Sequence, residues 1–237
     1  MQYFVTGATG FIGRYLVQSL LQRGKGTVYV LVRPKSIGKL DELREFWGKE
    51  SVKRVVPILK IDKGLEDEAN GVQLMKPMPE LDALLSRSKA LGVYGTKERS
   101  VINSANREGI AAVVKQQFEV GKQVLSHGMM PIIEPEVLLD GAHSIERCEE
   151  VTEATLRATY AALAAHNVSF EHTILKASMV VSGKSAPRQA AVDEVTTMRR
   201  APAATHRSQT KNRRSATSSG RIIRNSFDSA RLPPYQA

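Results

Sequence analysis

From the N-terminus to about residue 200, short apolar runs alternate with longer stretches in which apolar residues recur every three or four positions. Runs of four to eight strand-forming residues predict buried strands, and the longer spacing predicts helices with one buried face. Strands are expected at 3–6 (YFVT), 27–32 (TVYVLV), 54–61 (RVVPILKI), 92–102 (GVYGTKERSVI), 130–138 (MPIIEPEVL) and 170–181 (FEHTILKASMVV). Helices are expected at 12–23, 38–48, 80–90, 107–127, 144–166 and 187–199. In the fourth of these, Ile110, Val113, Val114, Phe118, Val124 and Leu125 follow the spacing of one buried stripe, and Gly128 is placed to end the helix. Six strand–helix units in succession make an α/β chain. A closed (β/α)8 barrel takes eight, so about six strand-helix units can curl into an incomplete barrel or spread as a doubly wound sheet.

Composition adds to this picture at three points. The 237 residues are 42% hydrophobic, enough to fill a core. No run approaches the roughly 18 apolar residues that a membrane span needs, and MQYFVTGATG lacks the basic and then apolar segments of a secretory leader. A cytoplasmic location without a membrane partner is expected. The net charge of +10 is unevenly placed: seven Lys or Arg against one Asp after Ala201 give +6 there, leaving +4 for the rest. With nine Ser or Thr, residues 201–237 read as a disordered basic tail, and nucleic acid is not expected beyond non-specific contact by it. The single cysteine, Cys148, leaves no intramolecular disulfide and no cysteine cluster for a metal; set among charges in IERCEEVTE, it reads as a helix-surface thiol.

TGATGFIG at 6–13 follows a strand and opens a helix, with Gly7, Gly10 and Gly13 spaced so that backbone can approach a pyrophosphate at the helix N-terminus. Over about residues 1–56 the chain resembles the extended short-chain dehydrogenase/reductase family. Arg33, in LVRPK at the end of the second strand, stands where an NAD-preferring site would carry an acid, so the resemblance implies NADP. That family pairs a tyrosine with a lysine four residues later. Here the residues four beyond Tyr3, Tyr15, Tyr29, Tyr94 and Tyr160 are Gly7, Ser19, Arg33, Glu98 and Ala164. A βαβ unit that packs without a cofactor therefore stays open beside the NADP-dependent reductase.

From about Val55 the strings VVPILKIDKGLEDEANGVQLMKP, GVYGTKERSVI, QQFEVGKQVL and PIIEPEV resemble the bacterial branch of class I fructose-bisphosphate aldolase. LLDGAHSIERCEEVTEATLRATYAALAAHNVSFEHTILKASMVVSG is similar to the plant and animal branch. Together they cover about 55–199. The resemblance implies a lysine amine that condenses with a ketone, the resulting iminium drawing electrons from the carbon–carbon bond that breaks. Lys176 in ILKASM matches the Schiff-base lysine, although Ala177 follows where the family usually has proline. Glu134 matches the acid/base carboxylate, and Glu136 is the next side chain on the same face of the expected strand. Lys97 and Arg99 in GTKER share a face in the same way; the resemblance makes them groups that polarise substrate and steer phosphate, with Lys60 in LKIDKG a further substrate contact. Assembled as in that family, Lys97, Glu134 and Lys176 would converge at neighbouring strand ends.

The expected organisation is thus a Rossmann-like βαβ segment at 1–54, a partial aldolase barrel at 55–200 and the tail. The function implied is cleavage of fructose 1,6-bisphosphate to dihydroxyacetone phosphate and glyceraldehyde 3-phosphate in glycolysis, needing no cofactor and taking a small phosphorylated sugar. It is expected to be impaired, because the family's aspartate-bearing first strands, its Ser-Gly-Gly phosphate loop and its last arginine-bearing strand have no counterpart here. The alternatives are the NADP-binding reductase and an inactive hybrid. A homo-oligomer is left open.

Overall fold

The computed structural model describes residues 1–103 and 106–198. The tail expected at 201–237 lies outside the described residues. In chain order the elements are β1 (Gln2–Thr6), α1 (Phe11–Gln22), β2 (Thr27–Val32), α2 (Leu40–Trp47), β3 (Val55–Lys60), β4 (Val72–Gln73), α3 (Leu81–Ala90), β5 (Gly95–Lys97), β6 (Ser100–Ile102), α4 (Arg107–Ser126), β7 (Met130–Ile133), β8 (Pro135–Val137), α5 (Ile145–Ala165), β9 (Ile174–Leu175) and α6 (Val192–Met198). They fall into two compact units. The first is Met1–Leu65, Met75–Arg99 and Glu119–Ile133; the second is Glu66–Leu74, Ser100–Phe118 and the described residues from Glu134 onward.

The first unit is a parallel sheet in the order β1-β2-β3-β5-β7, with Phe4 opposite Tyr29, Val30 opposite Pro57, and Lys60 opposite Lys97. Parallel strands joined by helices are buried on their faces, which is why TVYVLV is apolar throughout rather than alternating. Val28, Val30 and Val32 pack with Val17, Leu20 and Leu21 of α1, Leu40, Leu43 and Trp47 of α2, and Leu85 of α3. Trp47 buries its ring and donates its indole N–H to the Arg14 carbonyl at 2.9 Å, tying α2 to α1.

In the second unit β6 pairs antiparallel with β4 and parallel with β8. Val72, Ile102, Val113, Val137, Ile145, Cys148, Val151 and Val180 form its core. Ser144 caps α5, its Oγ accepting the Arg147 amide at 3.3 Å.

Five sequence expectations change. The runs at 92–102 and 130–138 are each two strands, β5 with β6 and β7 with β8, because the chain leaves one sheet at Glu98–Arg99 and at Glu134 and enters another. The run at 170–181 is strand only at Ile174–Leu175, preceded by a short 3-10 turn at Phe170–His172. The last helix begins at Val192, not 187. Cys148 is buried, not a surface thiol: it lies three residues from both Ile145 and Val151, on the inward stripe of α5.

The Ser144 cap also acts on charge. Its side chain, followed by the backbone, hydrogen-bonds the Glu146 carboxylate and holds it below the usual range. A carboxylate depressed in the folded state stabilises above its unfolded pKa, and that contribution is lost as pH falls through the lowered value. Through loss of its cap on the Arg147 amide, Ser144→Ala is expected to cost about 1 kcal/mol, and the Glu146 carboxyl is expected to titrate nearer its usual range. Circular dichroism against denaturant measures the first and NMR titration of Glu146 the second; an unchanged Glu146 titration would detach it from the cap.

Candidate active site

Two clusters of charged side chains stand at strand ends, one in each unit. In the first, β3 and β5 end side by side, and register partners on parallel strands project to the same face, so Lys60 and Lys97 are neighbours. The Ile61 amide donates to the Lys97 carbonyl at 3.0 Å and extends the pairing one residue further. Asp62, almost wholly buried, forms an ion pair with Lys60. Arg99 follows at the break after β5, half-buried. Because β5 ends at Lys97, no continuous strand carries the alternation that would put Lys97 and Arg99 on one face.

In the second unit Glu134 occupies the gap between β7 and β8, its side chain only 4% exposed, and makes an ion pair with Lys176. Lys176 follows directly on β9, and its side chain is 55% exposed. The lysine is thus at the surface rather than buried in a strand, with its charge met by a carboxylate from the interior. Glu136 lies within β8, opposite Val101, and the gap at Glu134 separates the two acids that a single strand would have set on one face. Beyond Lys176 the chain is fastened without strand pairing. The Val137 amide donates to Ser178 Oγ at 2.9 Å, and the Cys148 thiol points to the Met179 carbonyl at 3.7 Å.

The position of Glu134 depends on a residue that apolar patterning and motif resemblance both pass over. Gln117, 2% exposed on α4, accepts the Glu134 backbone N–H at 3.2 Å and directs its own amide to the Glu134 carbonyl at 3.4 Å. The same amide donates to Ser100 Oγ at 3.0 Å, and Ser100 N–H donates to the Glu134 carbonyl at 3.2 Å. Backbone that leaves a sheet loses ladder partners, and buried peptide groups need replacements. Gln117 supplies them. A signal for it exists in the sequence: Val113, Val114, Gln117, Gly121 and Val124 follow one helical stripe, and a glutamine in an otherwise buried stripe calls for partners.

Of the glycine motif, Gly7 has φ +71°, a conformation that side chains resist, and a Cβ on Gly13 would lie 2.0 Å from the Gly7 carbonyl oxygen. The loop therefore closes tightly on the start of α1, where Gly10 is the N-cap. Arg33 is exposed just beyond β2. Among the described residues no group of three His, Cys, Asp or Glu is placed to hold a metal, and no helix is long and apolar enough to cross a membrane.

Parallel strands joined by helices and laid down in unreversed order are the arrangement of the α/β-barrel class, here only part of a barrel. The family model of class I fructose-bisphosphate aldolase matches residues 37–205, well over half of the sequence, and the chain belongs to that family. A second family model, described as male sterility protein, matches residues 5–58. The chain is 46% identical over 127 residues to the class 1 fructose-bisphosphate aldolase of Porphyromonas gingivalis, covering 52% of this chain and 42% of that protein. It is 58% identical over 85 residues to the Synechocystis enzyme, covering 36% and 28%. It thus spans less than half the length of these curated relatives. Fructose-bisphosphate aldolase from Plasmodium falciparum, solved with an inhibitor, superposes over 85% of this chain and 66% of its own with a TM-score of 0.66 at 19% identity. That likeness shows the fold.

If Gln117 replaces the ladder at the break, Gln117→Leu is expected to cost about 2–3 kcal/mol, since several buried polar groups then lose the amide. Urea unfolding measures it. A loss below about 0.5 kcal/mol, the scatter of surface substitutions, would make the amide incidental.

Proposed function

We propose that the chain carries the imine-forming centre of a class I fructose-bisphosphate aldolase, with Lys176 as the amine and Glu134 as its acid/base partner. The observation that supports this most directly is the Lys176–Glu134 ion pair, which brings together the two residues that the resemblance singles out. For the amine to attack the ketone of dihydroxyacetone phosphate it must be free of its proton, and a carboxylate at hydrogen-bond distance is placed to exchange protons with it and with the carbinolamine that follows. Loss of water from that carbinolamine leaves the iminium. In the cleavage direction the iminium is that of fructose 1,6-bisphosphate: the carboxylate takes the C4 hydroxyl proton, the C3–C4 bond breaks as the C4 oxygen becomes the carbonyl of departing glyceraldehyde 3-phosphate, and the electron pair passes through C3 to the iminium nitrogen, leaving the enamine. Lys60, Lys97 and Arg99 are assigned to phosphate and substrate oxygens, and Glu136 to support of the acid/base group. We further assign the chain to glycolysis and the cytoplasm, and the change of ancestry to about residue 54.

Imine formation needs fewer groups than bond cleavage, and the match spans only part of the complete enzymes. Borohydride with dihydroxyacetone phosphate is therefore expected to trap adduct on Lys176, located by mass spectrometry and lost in Lys176→Ala. Cleavage of fructose 1,6-bisphosphate is expected far below the rate of a full-length relative. Absent labelling, or labelling unchanged in the alanine variant, would leave the pair as an ion pair only.

A second reading, NADP binding at the N-terminal segment, is favoured by the closed Gly7–Gly13 loop at the α1 N-terminus and by exposed Arg33 after β2. Gly7, Gly10 and Gly13 would admit the pyrophosphate, and Arg33 would meet the 2′-phosphate; the bound nicotinamide would supply hydride chemistry. Titration is expected to rank NADPH above NADH, with Arg33→Asp removing the preference. Tighter NADH binding by the unaltered chain would end the assignment of Arg33.

A further inference from the structure

Asp82, Ser86 and Lys89 are spaced i, i+4, i+7 and form one exposed stripe of α3. Facing it, α4 ends at Ser126 and the chain turns away through Gly128, whose φ of +64° is left-handed. The His127 amide donates to the Val124 carbonyl at 3.1 Å and the Met129 amide to the same carbonyl at 3.3 Å, which closes the turn. His127 is thereby held against the stripe. Its Nε2 lies 2.8 Å from Asp82 Oδ1 and its Nδ1 3.5 Å from Ser86 Oγ. The histidine side chain is 19% exposed and that of Asp82 71%. Hydrogen bonds from Gln123, one turn back on α4, and then from His127 hold the Asp82 carboxyl below its usual range. Lys89 donates to the Gly128 carbonyl at 2.6 Å, which fixes its ammonium beside the same turn.

We propose that Ser86, His127 and Asp82 form a separate catalytic centre, an esterase site for activated esters of short carboxylic acids. A carboxylate on Nε2 selects the tautomer that carries its proton there and leaves the Nδ1 lone pair toward Ser86. Nδ1 is then the general base. As Ser86 Oγ attacks the ester carbonyl its proton passes to Nδ1, and Asp82 meets the charge of the imidazolium that forms. The bond to the leaving oxygen breaks, the alcohol or phenol departs with the proton from Nδ1, and Ser86 keeps the acyl group. Water, deprotonated by the same nitrogen, releases the acid and restores the serine. Lys89, one turn from Ser86 on the same stripe, is the cation placed to meet the oxyanion of the tetrahedral intermediate. A Ser–His separation of 3.5 Å is long, and catalytic contacts are often long before substrate binds. The stripe is an open surface that gives a substrate little binding energy, a condition that a reactive ester with a small acyl group meets. The centre shares no residue with Lys176 and Glu134 and is independent of the imine reading.

The full chain is treated with p-nitrophenyl acetate and, separately, with a fluorophosphonate probe. Each is expected to leave an adduct on Ser86, located by peptide mass spectrometry, and p-nitrophenolate is expected to appear as a burst followed by slower turnover. Ser86→Ala is expected to remove adduct and burst, and to leave borohydride trapping at Lys176 as it is in the unaltered chain. His127→Gln is expected to slow adduct formation ~100-fold, the lower range of general-base catalysis. Asp82 is a positioning residue that acts through the ring. Asp82→Asn is therefore expected to lower the maximal burst rate while the half-saturating ester concentration stays, with Asp82→Glu restoring part of the rate. Asp82 and Ser86 are exposed, and circular dichroism is expected to show their variants folded. Absent labelling, adduct only on lysines or other serines, or labelling undiminished in His127→Gln would each overturn the proposal and leave His127 as a pin between α3 and α4. Should His127→Gln fail to fold, equal labelling of the unaltered chain and Asp82→Asn would overturn it instead.

Discussion

The chain depends on how the backbone at Glu134 is satisfied where β7 gives way to β8. A strand that changes sheets inside a protein strands its peptide groups unless something else bonds them, and each unmet group costs on the order of 1–3 kcal/mol. Gln117 meets both the N–H and the C=O of Glu134, and Ser100 bonds the same carbonyl and the same glutamine. One helix residue therefore fixes the start of β6 and the gap before β8 together. The carboxylate that meets Lys176 is carried by the residue so held.

This arrangement separates a rigid partner from a mobile one. Glu134 is buried and its backbone is bonded on both sides, whereas Lys176 sits past the end of a two-residue strand with its side chain largely in water. A long exposed side chain has many rotamers, and pairing with a fixed carboxylate removes most of them. The ion pair selects one lysine conformation at the cost of side-chain entropy, which is a more useful role than net stability, since half-exposed pairs contribute little.

Helix positions were legible in the sequence because their apolar spacing is local. α1, α2, α3, α4 and α5 each begin and end within two residues of the expected bounds. The first three strands were equally legible as uninterrupted apolar runs. What failed was continuity: GVYGTKERSVI and MPIIEPEVL read as single strands because nothing local marks a break at Glu98 or Glu134, and only tertiary pairing decides that each run serves two sheets. Cys148 was misplaced for a related reason, its charged sequence neighbours pointing outward while its own position on α5 points in. Within the candidate site, Lys176 and Glu134 were identified by resemblance, and Gln117 was not: its place in the buried stripe of α4 signals a need for partners, but only tertiary structure shows that the partner is the Glu134 backbone.

The close approach of Gly13 to the Gly7 carbonyl bears on how the glycine motif should be interpreted in related sequences. A methyl group at position 13 would overlap main-chain atoms whether or not any nucleotide is present. Purifying selection on this position would therefore act on the packing of the turn alone, and Gly13, with Gly7 at φ +71°, would outlast the loss of dinucleotide binding, whereas Gly10 meets no such packing constraint. Persistence of Gly7 and Gly13 in a lineage would record a folding requirement as much as a ligand, and a position such as Arg33, where the side chain is free to drift once the ligand is gone, discriminates between the two.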